Sequence, residues 1–420
     1  MGILIKGALV NGERKDILIE GNRIERIAPE ISGAHEVIEA EGLLAVPSFV
    51  NGHTHAAMTL LRGYADDMPL RRWLQEKIWP IEARMTEEDV YWGTKLACLE
   101  MIKTGTTFFN DMYWHWRGVA RAVEEMGIRA AVSAVFIDLF DPSKTREQIR
   151  LNERLLEESS SFSSRVIFTL GPHAIYTVSE EGLKWCARFA EENGLLVHIH
   201  LSETQEEVQY CLKEHGVRPV RYLERIGFLG PEVVAAHCVW LDEEEMEILR
   251  DHGVKVVHNP VSNMKLAVGD VFPYRELRER GITLSLGTDG PSSNNNLDLL
   301  ESVKFAALLQ KHHLRDPEAL RAEEALGLIT WEGAEAFGLG CGRLQEGRWA
   351  DIALLDLKAP PLVPHFHEAS DLVYAADGSC VDTLICDGRI LMRGRRVEGE
   401  EEIVEEARRV AYQLVARAKG

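Results

Sequence analysis

The sequence predicts an α/β protein that combines a (β/α)8 barrel with a smaller sheet domain built from both ends of the chain. Three observations lead to this fold: a length of 420 residues, eight short apolar runs separated by helix-length segments, and alternating short segments at both termini. Single domains typically contain about 100–200 residues and barrels extend to about 250. The length therefore fits one large domain and one small domain.

Both ends of the chain have the pattern of a small antiparallel sheet. Asn-Gly and Gly-Asn pairs near the N-terminus suit tight hairpins between alternating apolar residues. The segments 350–356 and 383–390 repeat this pattern, and a charged helical segment ends the chain. We expect residues 1–46 and 344–420 to form the small domain and residues 47–343 to form the barrel.

The central part of the chain alternates apolar runs with amphipathic segments, each long enough for one helix. This alternation is typical of a parallel sheet with helical crossovers, and eight such units fit a closed barrel. An open doubly wound sheet is the alternative, but it usually carries a glycine-rich phosphate-binding turn after its first strand. No such turn follows these runs, which are 44–49, 106–110, 130–136, 166–170, 195–200, 233–237, 254–258 and 282–286.

Composition and cysteine usage argue against several classes of protein. The chain has 67 Asp and Glu against 47 Lys and Arg, a net charge of −20, which disfavours nucleic acid and anionic membranes as partners. The 7 cysteines form no CxxC pair, so neither a disulfide framework nor a zinc-thiolate site is expected, and a cytoplasmic location is predicted. No secretion signal or membrane span is visible. A homo-oligomer is compatible with these features.

Polar, chemically useful side chains recur at the carboxyl ends of the predicted strands. In a parallel barrel these ends meet at one rim, where barrel enzymes place their active sites. We therefore expect one site built from several strands. The residues at the strand ends are His53 and His55 (first run), His173 (fourth), His198 and His200 (fifth), His237 (sixth), His258 (seventh) and Asp289 (eighth).

The spacing of two histidines suggests a metal site. Residues i and i+2 of a strand share a face, so His53 and His55 can both present a ring nitrogen to one ion. By itself the pair is also explained by two hydrogen-bonded histidines in a loop. A third imidazole and an aspartate would complete a donor set that suits catalytic Zn²⁺ and also Fe²⁺. His200 is the preferred third ligand because it lies closer to the rim and to Glu203, whereas His198 is expected one layer deeper.

The remaining eight histidines fall in segments outside the predicted rim. We expect these side chains at the solvated surface, the usual location of polar residues. They are His35, His115, His215, His252, His312, His313, His365 and His367.

Four segments at the strand ends resemble the amidohydrolase superfamily, namely 47–55, 200–204, 258–266 and 287–290. They look like the nucleoside and chlorotriazine deaminase branch of that superfamily. Trp73 and the segment 78–82 are similar to members that act on 5′-methylthioadenosine and S-adenosylhomocysteine. The segment 347–351 matches a recurring step of the family's β-sandwich, so the resemblance covers nearly the whole chain and implies a composite β-sandwich from both termini.

The resemblance implies a metal centre with His53, His55, His200 and Asp289 as ligands. Family members with two metals bridge them by a modified lysine on the fourth strand, and residues 165–171 contain no lysine. We therefore expect one divalent metal per subunit, Zn²⁺ in the first place and Fe²⁺ as the alternative.

The implied reaction is hydrolytic loss of ammonia from C6 of an adenine nucleoside, by attack of a metal-activated hydroxide that leaves the inosine analogue. By resemblance, Glu203 protonates the ring nitrogen beside C6, Asp289 accepts the proton of the water and His237 polarises that water. Glu203 also starts an acidic stretch at a predicted helix start, where the helix dipole alone favours carboxylates.

The same resemblance assigns substrate contacts to Trp73, Glu82 and His173, next to Glu203 and Asp289. His173 would contact the base or the ribose, and Glu82 would accept both ribose hydroxyls with its two oxygens. The alternatives are a charged helix face for Glu82 and a core position for Trp73.

The substrate prediction depends on what lies near the third strand. A substrate with an amino-acid carboxylate at its 5′ end favours an arginine there, and residues 131–145 contain none, although Lys144, Arg146 and Arg150 are close by. We therefore expect a neutral 5′ group, as in 5′-methylthioadenosine, 5′-deoxyadenosine or adenosine, over S-adenosylhomocysteine.

Other functions remain as alternatives. Among enzymes, these are a deaminase or chlorohydrolase that acts on guanine, a pterin or a triazine, and a hydrolase of a cyclic amide. A metal-free scaffold of the same fold is the alternative outside them.

Overall fold

The computed structural model describes residues 2–33 and 36–419. Sixteen strands lie in this part of the chain and divide into two sheets. The strands are β1 (Ile3–Val10), β2 (Glu13–Glu20), β3 (Arg23–Ala28), β4 (Glu36–Glu39), β5 (Leu43–Pro47), β6 (Phe49–Thr54), β7 (Thr106–Tyr113), β8 (Arg129–Phe136), β9 (Val166–Pro172), β10 (Val197–Leu201), β11 (Val233–His237), β12 (Lys255–His258), β13 (Leu284–Leu286), β14 (Ile352–Asp356), β15 (Val381–Cys386) and β16 (Arg389–Met392).

Sixteen α-helices connect and cover these strands within the described residues. They are α1 (Leu70–Trp73), α2 (Trp79–Glu82), α3 (Glu87–Lys103), α4 (Trp116–Met126), α5 (Pro142–Ser159), α6 (Glu180–Asn193), α7 (Gln205–His215), α8 (Pro219–Arg225), α9 (Glu243–Asp251), α10 (Pro260–Lys265), α11 (Tyr274–Glu279), α12 (Leu299–Leu314), α13 (Ala322–Leu328), α14 (Trp331–Ala336), α15 (Glu368–Tyr374) and α16 (Glu400–Lys419). A π-helical turn, Leu74–Ile78, joins α1 to α2, and short 3₁₀ turns lie at Ala56–Leu61, Pro360–Leu362 and Gly378–Cys380.

Strands β6 to β13 form the predicted parallel barrel, each paired with the next. Across the join between β6 and β13, Asn51 Nδ2 donates to Thr288 Oγ1 (2.8 Å) and the Asp289 amide donates to the His53 carbonyl (2.9 Å). Gly287 permits this approach, because a Cβ at that position would lie 2.7 Å from the His53 amide nitrogen. The join therefore holds a residue of the first barrel strand against the end of the last.

The first barrel strand differs from the prediction. The run 44–49 was expected to open the barrel, but β5 pairs with β1 and β14 of the other sheet, and the barrel begins with β6. Only Ser48 separates the two strands. A continuous apolar run does not reveal where the chain passes from one sheet to another, since both strands are buried. The other seven runs overlap strands β7 to β13.

The second sheet joins both ends of the chain in the order β16-β15-β14-β5-β1-β2-β3, with β4 on β1. Its apolar side chains pack into a core of their own. Isoleucines from both ends share it, including Ile5, Ile17, Ile352 and Ile385, all fully buried. The antiparallel pairing of β5 with β14 connects the two chain ends directly.

The C-terminal helix α16 packs against the barrel helix α3, although it was expected with the small domain. Lys103 Nζ lies 2.6 Å from Glu400 Oε2 at one end of the pair, and Arg417 pairs with Asp89 at the other. The helix buries one stripe at helical spacing, as an amphipathic helix does. This stripe contains Ile403, Ala407, Val410 and Leu414.

A buried ion pair connects the barrel with the small sheet. Arg129, the first residue of β8, has Nη2 at 2.5 Å from Asp387 Oδ1 and Nε at 3.2 Å from Asp351 Oδ2. Its guanidinium also lies over the Trp349 ring. The Arg129 and Asp351 side chains are almost completely removed from solvent, and that of Asp387 is 15% exposed. The two buried charges therefore depend on each other.

No helix in the described part of the chain is both long and apolar enough to cross a membrane. All seven cysteines are free thiols with buried side chains.

Candidate active site

The carboxyl ends of β6, β10 and β11 and the residues after β13 bring five side chains together. The ligand atoms of His53, His55 and Asp289 all lie within 4.8 Å of one another, and so do those of His53, His200 and His237. All five are buried or nearly buried. Strand direction explains the cluster, because parallel strands end at the same rim.

Four donor atoms of this cluster converge on one point. The Nε2 atoms of His55 and His200 lie 3.2 Å apart. Asp289 Oδ1 lies 3.2 Å from His53 Nε2 and 3.3 Å from His55 Nε2. Three imidazole nitrogens and one carboxylate oxygen form a donor set that suits a catalytic divalent metal.

The hydrogen bonds of two of these rings show which nitrogen is free to bind a metal. His55 Nδ1 donates to the Met112 carbonyl (2.7 Å), and His200 Nδ1 donates to the His173 carbonyl (2.8 Å). Each Nε2 atom therefore carries a lone pair. Two lone pairs that face each other at 3.2 Å repel unless a cation lies between them, so the residues fit a bound metal.

The third ring is held from behind by a deeper histidine. His198 Nε2 lies 2.7 Å from His53 Nδ1, and His198 is completely buried. This matches the prediction of a hydrogen-bonded residue one layer below the rim. The bond fixes the His53 ring so that Nε2 is directed toward Asp289.

Asp289 is held by side chains to which sequence reasoning gave no role. Its Oδ2 accepts from Ser262 Oγ (2.5 Å) and Ser293 Oγ (3.0 Å), and its Oδ1 accepts from the Gly290 amide (2.8 Å). Its backbone has the left-handed φ of 62°, a costly conformation for a non-glycine residue that is common at functional sites. Ser262 lies inside the segment 258–266 that carried the family resemblance, which is the only signal that pointed to it.

His237 and Glu203 approach each other at the side of the cluster. His237 Nδ1 donates to Asn263 Oδ1 (2.8 Å) and lies 3.8 Å from Glu203 Oε1. His237 also has a left-handed φ of 74°. Asn263 is a further residue that the sequence patterns did not assign.

Four members of the cluster, His55, His200, His237 and Asp289, line a cleft. The cleft brings together every residue that was predicted to contact substrate, namely Trp73, Glu82, His173, Glu203 and Asp289. Aromatic and aliphatic side chains form much of the remaining wall, among them Leu70, Leu74, Trp79, Tyr113, Trp114 and Ile137. Among the described residues that line it, none is a lysine or an arginine.

The sequence matches the amidohydrolase family over residues 44–391. The chain belongs to the amidohydrolase family. A 5′-deoxyadenosine deaminase of Methanoregula boonei is 51% identical over 411 residues, which cover 96% of this chain and 93% of the relative. A 5-methylthioadenosine/S-adenosylhomocysteine deaminase of Archaeoglobus fulgidus is 46% identical over 99% of this chain and 98% of its own.

A solved structure extends this comparison. An adenosine deaminase of Xanthomonas campestris with bound zinc superimposes with a TM-score of 0.94, at 32% identity over 99% of this chain and 98% of that chain. Family membership and the histidine–aspartate cluster indicate a divalent metal as cofactor. This amidohydrolase is therefore a hydrolase of C–N bonds, and the alternative of a metal-free scaffold is not supported.

The amidohydrolase cleft is covered on one side by the helical segment from α1 to α2. Trp73 Nε1 donates to the Ala65 carbonyl (2.9 Å), which ties this segment to the loop before it. Glu82, at the end of α2, is 9% exposed and accepts from Trp114 Nε1 (3.3 Å). Both residues are buried and also line the cleft, so Trp73 combines a core position with a cleft position.

Burial keeps three histidines of the site neutral. It lowers the pKa of His53 to about 4 and that of His173 to about 3, and it lowers the pKa of His200 well below its usual value. Burial also acts to lower the pKa of His237, but the carboxyl groups of Glu203 and Asp289 raise it above its usual value. Neutral imidazole is the form that binds metals. The His53 and His200 rings are therefore ready to bind a cation at neutral pH.

The carboxyl groups of the site differ in the direction of their pKa shifts. Burial raises the pKa of Glu203 and of Glu82. Burial also acts to raise the pKa of Asp289, but the neighbouring His53 and His55 rings lower it well below its usual value. The raised pKa of Glu203 suits a general acid, and the lowered pKa of Asp289 suits a group that stays ionised as a base.

The cations near the third strand and the peripheral histidines lie away from this site. Lys144, Arg146 and Arg150 are exposed on α5 and do not line the cleft. Of the eight histidines expected at the surface, seven are exposed or half-buried, as predicted. His35 lies outside the described residues.

Proposed function

We propose that this amidohydrolase deaminates adenine nucleosides that carry a neutral 5′ substituent, with 5′-deoxyadenosine, 5′-methylthioadenosine and adenosine as candidates. Hydrolysis at C6 releases ammonia and leaves the inosine analogue. One observation carries the proposal: the cleft combines the histidine–aspartate cluster with Glu203 and Glu82, yet none of the described residues that line it is a lysine or an arginine. The names of the relatives agree with an adenine nucleoside substrate.

The proposed metal ligands are His53, His55, His200 and Asp289, with one metal per subunit. Zn²⁺ is the proposed ion because imidazole and carboxylate donors suit it and a structural relative contains zinc. When bound, such an ion lowers the pKa of its water to about 7 and so supplies hydroxide at neutral pH.

Glu203 is the proposed acid. Attack at C6 places negative charge on the ring unless the adjacent ring nitrogen receives a proton, and the amine needs a second proton to leave as ammonia. Glu203 lines the cleft beside the cluster and is 6% exposed. Because burial raises its pKa, the group keeps its proton to higher pH than an exposed glutamate.

Asp289 and His237 are proposed to act on the attacking water. The His53 and His55 rings keep the Asp289 carboxylate ionised, so it can accept a proton. His237 uses Nδ1 as a donor to Asn263, so its Nε2 is the nitrogen left to polarise the water.

Glu82 and His173 are proposed to hold the nucleoside. The two oxygens of the Glu82 carboxylate can accept hydrogen bonds from two vicinal ribose hydroxyls, and Trp114 Nε1 already fixes this carboxylate from one side. His173 Nδ1 lies 2.9 Å from Thr177 Oγ1, which orients the ring. Its pKa of about 3 keeps it neutral next to the base or ribose. Trp73 contributes an apolar surface to the same cleft.

The 5′ group is the part of the substrate that the cleft composition restricts. An amino-acid carboxylate that enters the cleft loses water and meets no arginine or lysine among the lining residues. An unpaired charged group in such a place costs at least about 1–3 kcal/mol. S-adenosylhomocysteine is therefore a poorer proposed substrate than a nucleoside with an apolar or hydroxyl 5′ group.

An ammonia-release assay with nucleosides that differ only at the 5′ position tests the proposal. We expect kcat/KM for 5′-deoxyadenosine, 5′-methylthioadenosine or adenosine to exceed that for S-adenosylhomocysteine by about tenfold or more, the equivalent of about 1.4 kcal/mol. Guanine, a pterin and a triazine belong in the same assay as competing substrates. Faster turnover of any of these than of all adenine nucleosides would overturn the proposal.

A further inference from the structure

A second buried carboxyl group, Glu207, lies directly behind Glu203. Glu207 is 3% exposed and sits in the first turn of α7. Its Oε1 accepts from the Ser202 amide (2.9 Å), and its Oε2 accepts from the Glu203 amide (2.9 Å). Both of its oxygens therefore hold the backbone that presents Glu203.

The opposite side of this backbone is held as well. The Ser202 carbonyl accepts from the amides of Val239 (3.0 Å) and Trp240 (2.9 Å), which follow β11. Ser202 itself has a left-handed φ of 49°, a conformation that persists in a non-glycine residue only when its surroundings hold it. Glu207 supplies part of that restraint.

Two other helices show that this arrangement departs from an ordinary helix start. In α3 and α9 the acidic residue at the third helical position accepts from the amide of the residue that caps the helix, as in a capping box. In α7 the capping residue is Thr204, which accepts from the Glu207 amide (3.2 Å). The Glu207 carboxyl group bonds instead to the two residues before the cap, and one of these is Glu203.

We infer that Glu207 is a positioning residue for deamination. Through two backbone hydrogen bonds it holds Glu203 in position beside the histidine–aspartate cluster. The inference rests on the proposed function. A carboxyl group can accept at both oxygens, whereas a glutamine accepts only at its carbonyl and turns an amino group toward the second amide. Displacement of a catalytic group by about 1 Å can reduce turnover about 100-fold.

The test compares Glu207→Gln with a matched control, Glu245→Gln. Glu245 is likewise a buried glutamate in the first turn of a helix that accepts from two backbone amides, those of Val220 (3.1 Å) and Asp242 (3.2 Å). It differs from Glu207 in that it also accepts from Arg218 Nε (2.7 Å). We expect both variants to lose thermal stability. Of the two variants, only Glu207→Gln should reduce kcat, by about 10- to 100-fold. Its KM should stay within about twofold of the wild-type value, and the metal content of the purified enzyme should be unchanged.

Glu203→Gln and the double variant Glu203→Gln/Glu207→Gln complete the test. If Glu207 acts through Glu203, the second substitution costs little once Glu203 has lost its acid function. Unchanged kcat in metal-loaded Glu207→Gln, or an equal further loss in the double variant, would overturn the inference. Wild-type turnover in Glu203→Gln would instead overturn the proposed role of Glu203. If Glu207→Gln does not fold, Glu207→Asp replaces it in the test. The shorter aspartate side chain cannot reach both amides, so the same changes in kcat and KM are expected.

Discussion

His55 Nε2 and His200 Nε2 lie 3.2 Å apart, and each ring uses its Nδ1 proton in a bond to a backbone carbonyl. These bonds assign the tautomer of both rings before any ion arrives. The fold itself therefore orients these two ligands. The rings come from the ends of β6 and β10, and the carbonyls that hold them come from β7 and the end of β9.

Removal of the metal is expected to destabilise the protein. A ligand present at 100 times its dissociation constant stabilises the folded state by about 2.7 kcal/mol. Dialysis against a chelator should therefore lower the Tm, and addition of Zn²⁺ should restore it. His200→Ala should show a Tm that no longer responds to Zn²⁺, and a full response in that variant would contradict the proposed ligand set.

Ser262→Ala is expected to weaken metal binding by about tenfold or more, since loss of a bond that orients a ligand typically has this effect. Ser262 Oγ donates to Asp289 Oδ2 at 2.5 Å. A competition titration with a chromophoric chelator measures the change. Ser302→Ala is a suitable control, because Ser302 is equally buried but donates to the carbonyl of Asp298, the residue that caps α12. Equal affinity in both variants would show that Asp289 does not need this partner.

Glu82→Gln is expected to raise KM for an adenine nucleoside while turnover of a free base remains unchanged. The amide retains one acceptor oxygen where the carboxylate has two, so one ribose hydroxyl loses its partner. Hydrogen bonds to charged groups contribute about 1.5–3 kcal/mol, which corresponds to roughly a 10- to 100-fold change. Steady-state kinetics on both substrates provide the measurement. A matching loss on the free base would contradict the ribose assignment.

The pH dependence of kcat/KM should include a descending limb from Glu203. Only the protonated form can donate a proton, so activity is present below the pKa of Glu203 and declines as pH rises through it. Because burial raises this pKa, the decline should begin above the range of an exposed glutamate. Glu203→Gln should lose about 10²–10⁴ of the rate, and its residual activity should lack this limb. A limb that persists in the variant would belong to another group.

Arg129→Met is expected to destabilise the fold without changing kcat/KM of the folded enzyme. The substitution leaves the carboxyl groups of Asp351 and Asp387 without their closest cation in a buried interface, a loss that typically costs about 3–5 kcal/mol. Arg14→Met, which breaks an exposed pair with Glu41, should change stability little. Denaturant unfolding compares the two, and an equally small effect would show that Arg129 does not stabilise the join between the sheets.

Sequence periodicity was sufficient to predict the barrel and the members of its rim. His53 and His55 share a strand face because side chains alternate with a period of two. Seven of the eight apolar runs overlap barrel strands β7 to β13, whose carboxyl ends meet at one rim because parallel strands share a direction. Both arguments use only local spacing, which a single sequence displays directly.

Other features depend on contacts between distant parts of the chain. The boundary between β5 and β6 at Ser48 is decided by strand pairing, because β5 pairs with β1 and β14 whereas β6 pairs with β7. The location of α16 on the barrel is decided by its partners on α3. Neither leaves a local pattern, since an apolar run and an amphipathic helix look the same whichever surface they cover.

The sequence by itself therefore determined the fold class, the strand-end histidines and the resemblance to amidohydrolases. Only the tertiary structure decided which nitrogen of each ring is free, which serines hold Asp289, and that Glu207 reaches the backbone of Glu203. The physical reason is the range of the interactions. Strand periodicity repeats within a few residues, whereas hydrogen-bond partners of a site come together only when separate strands close into one barrel.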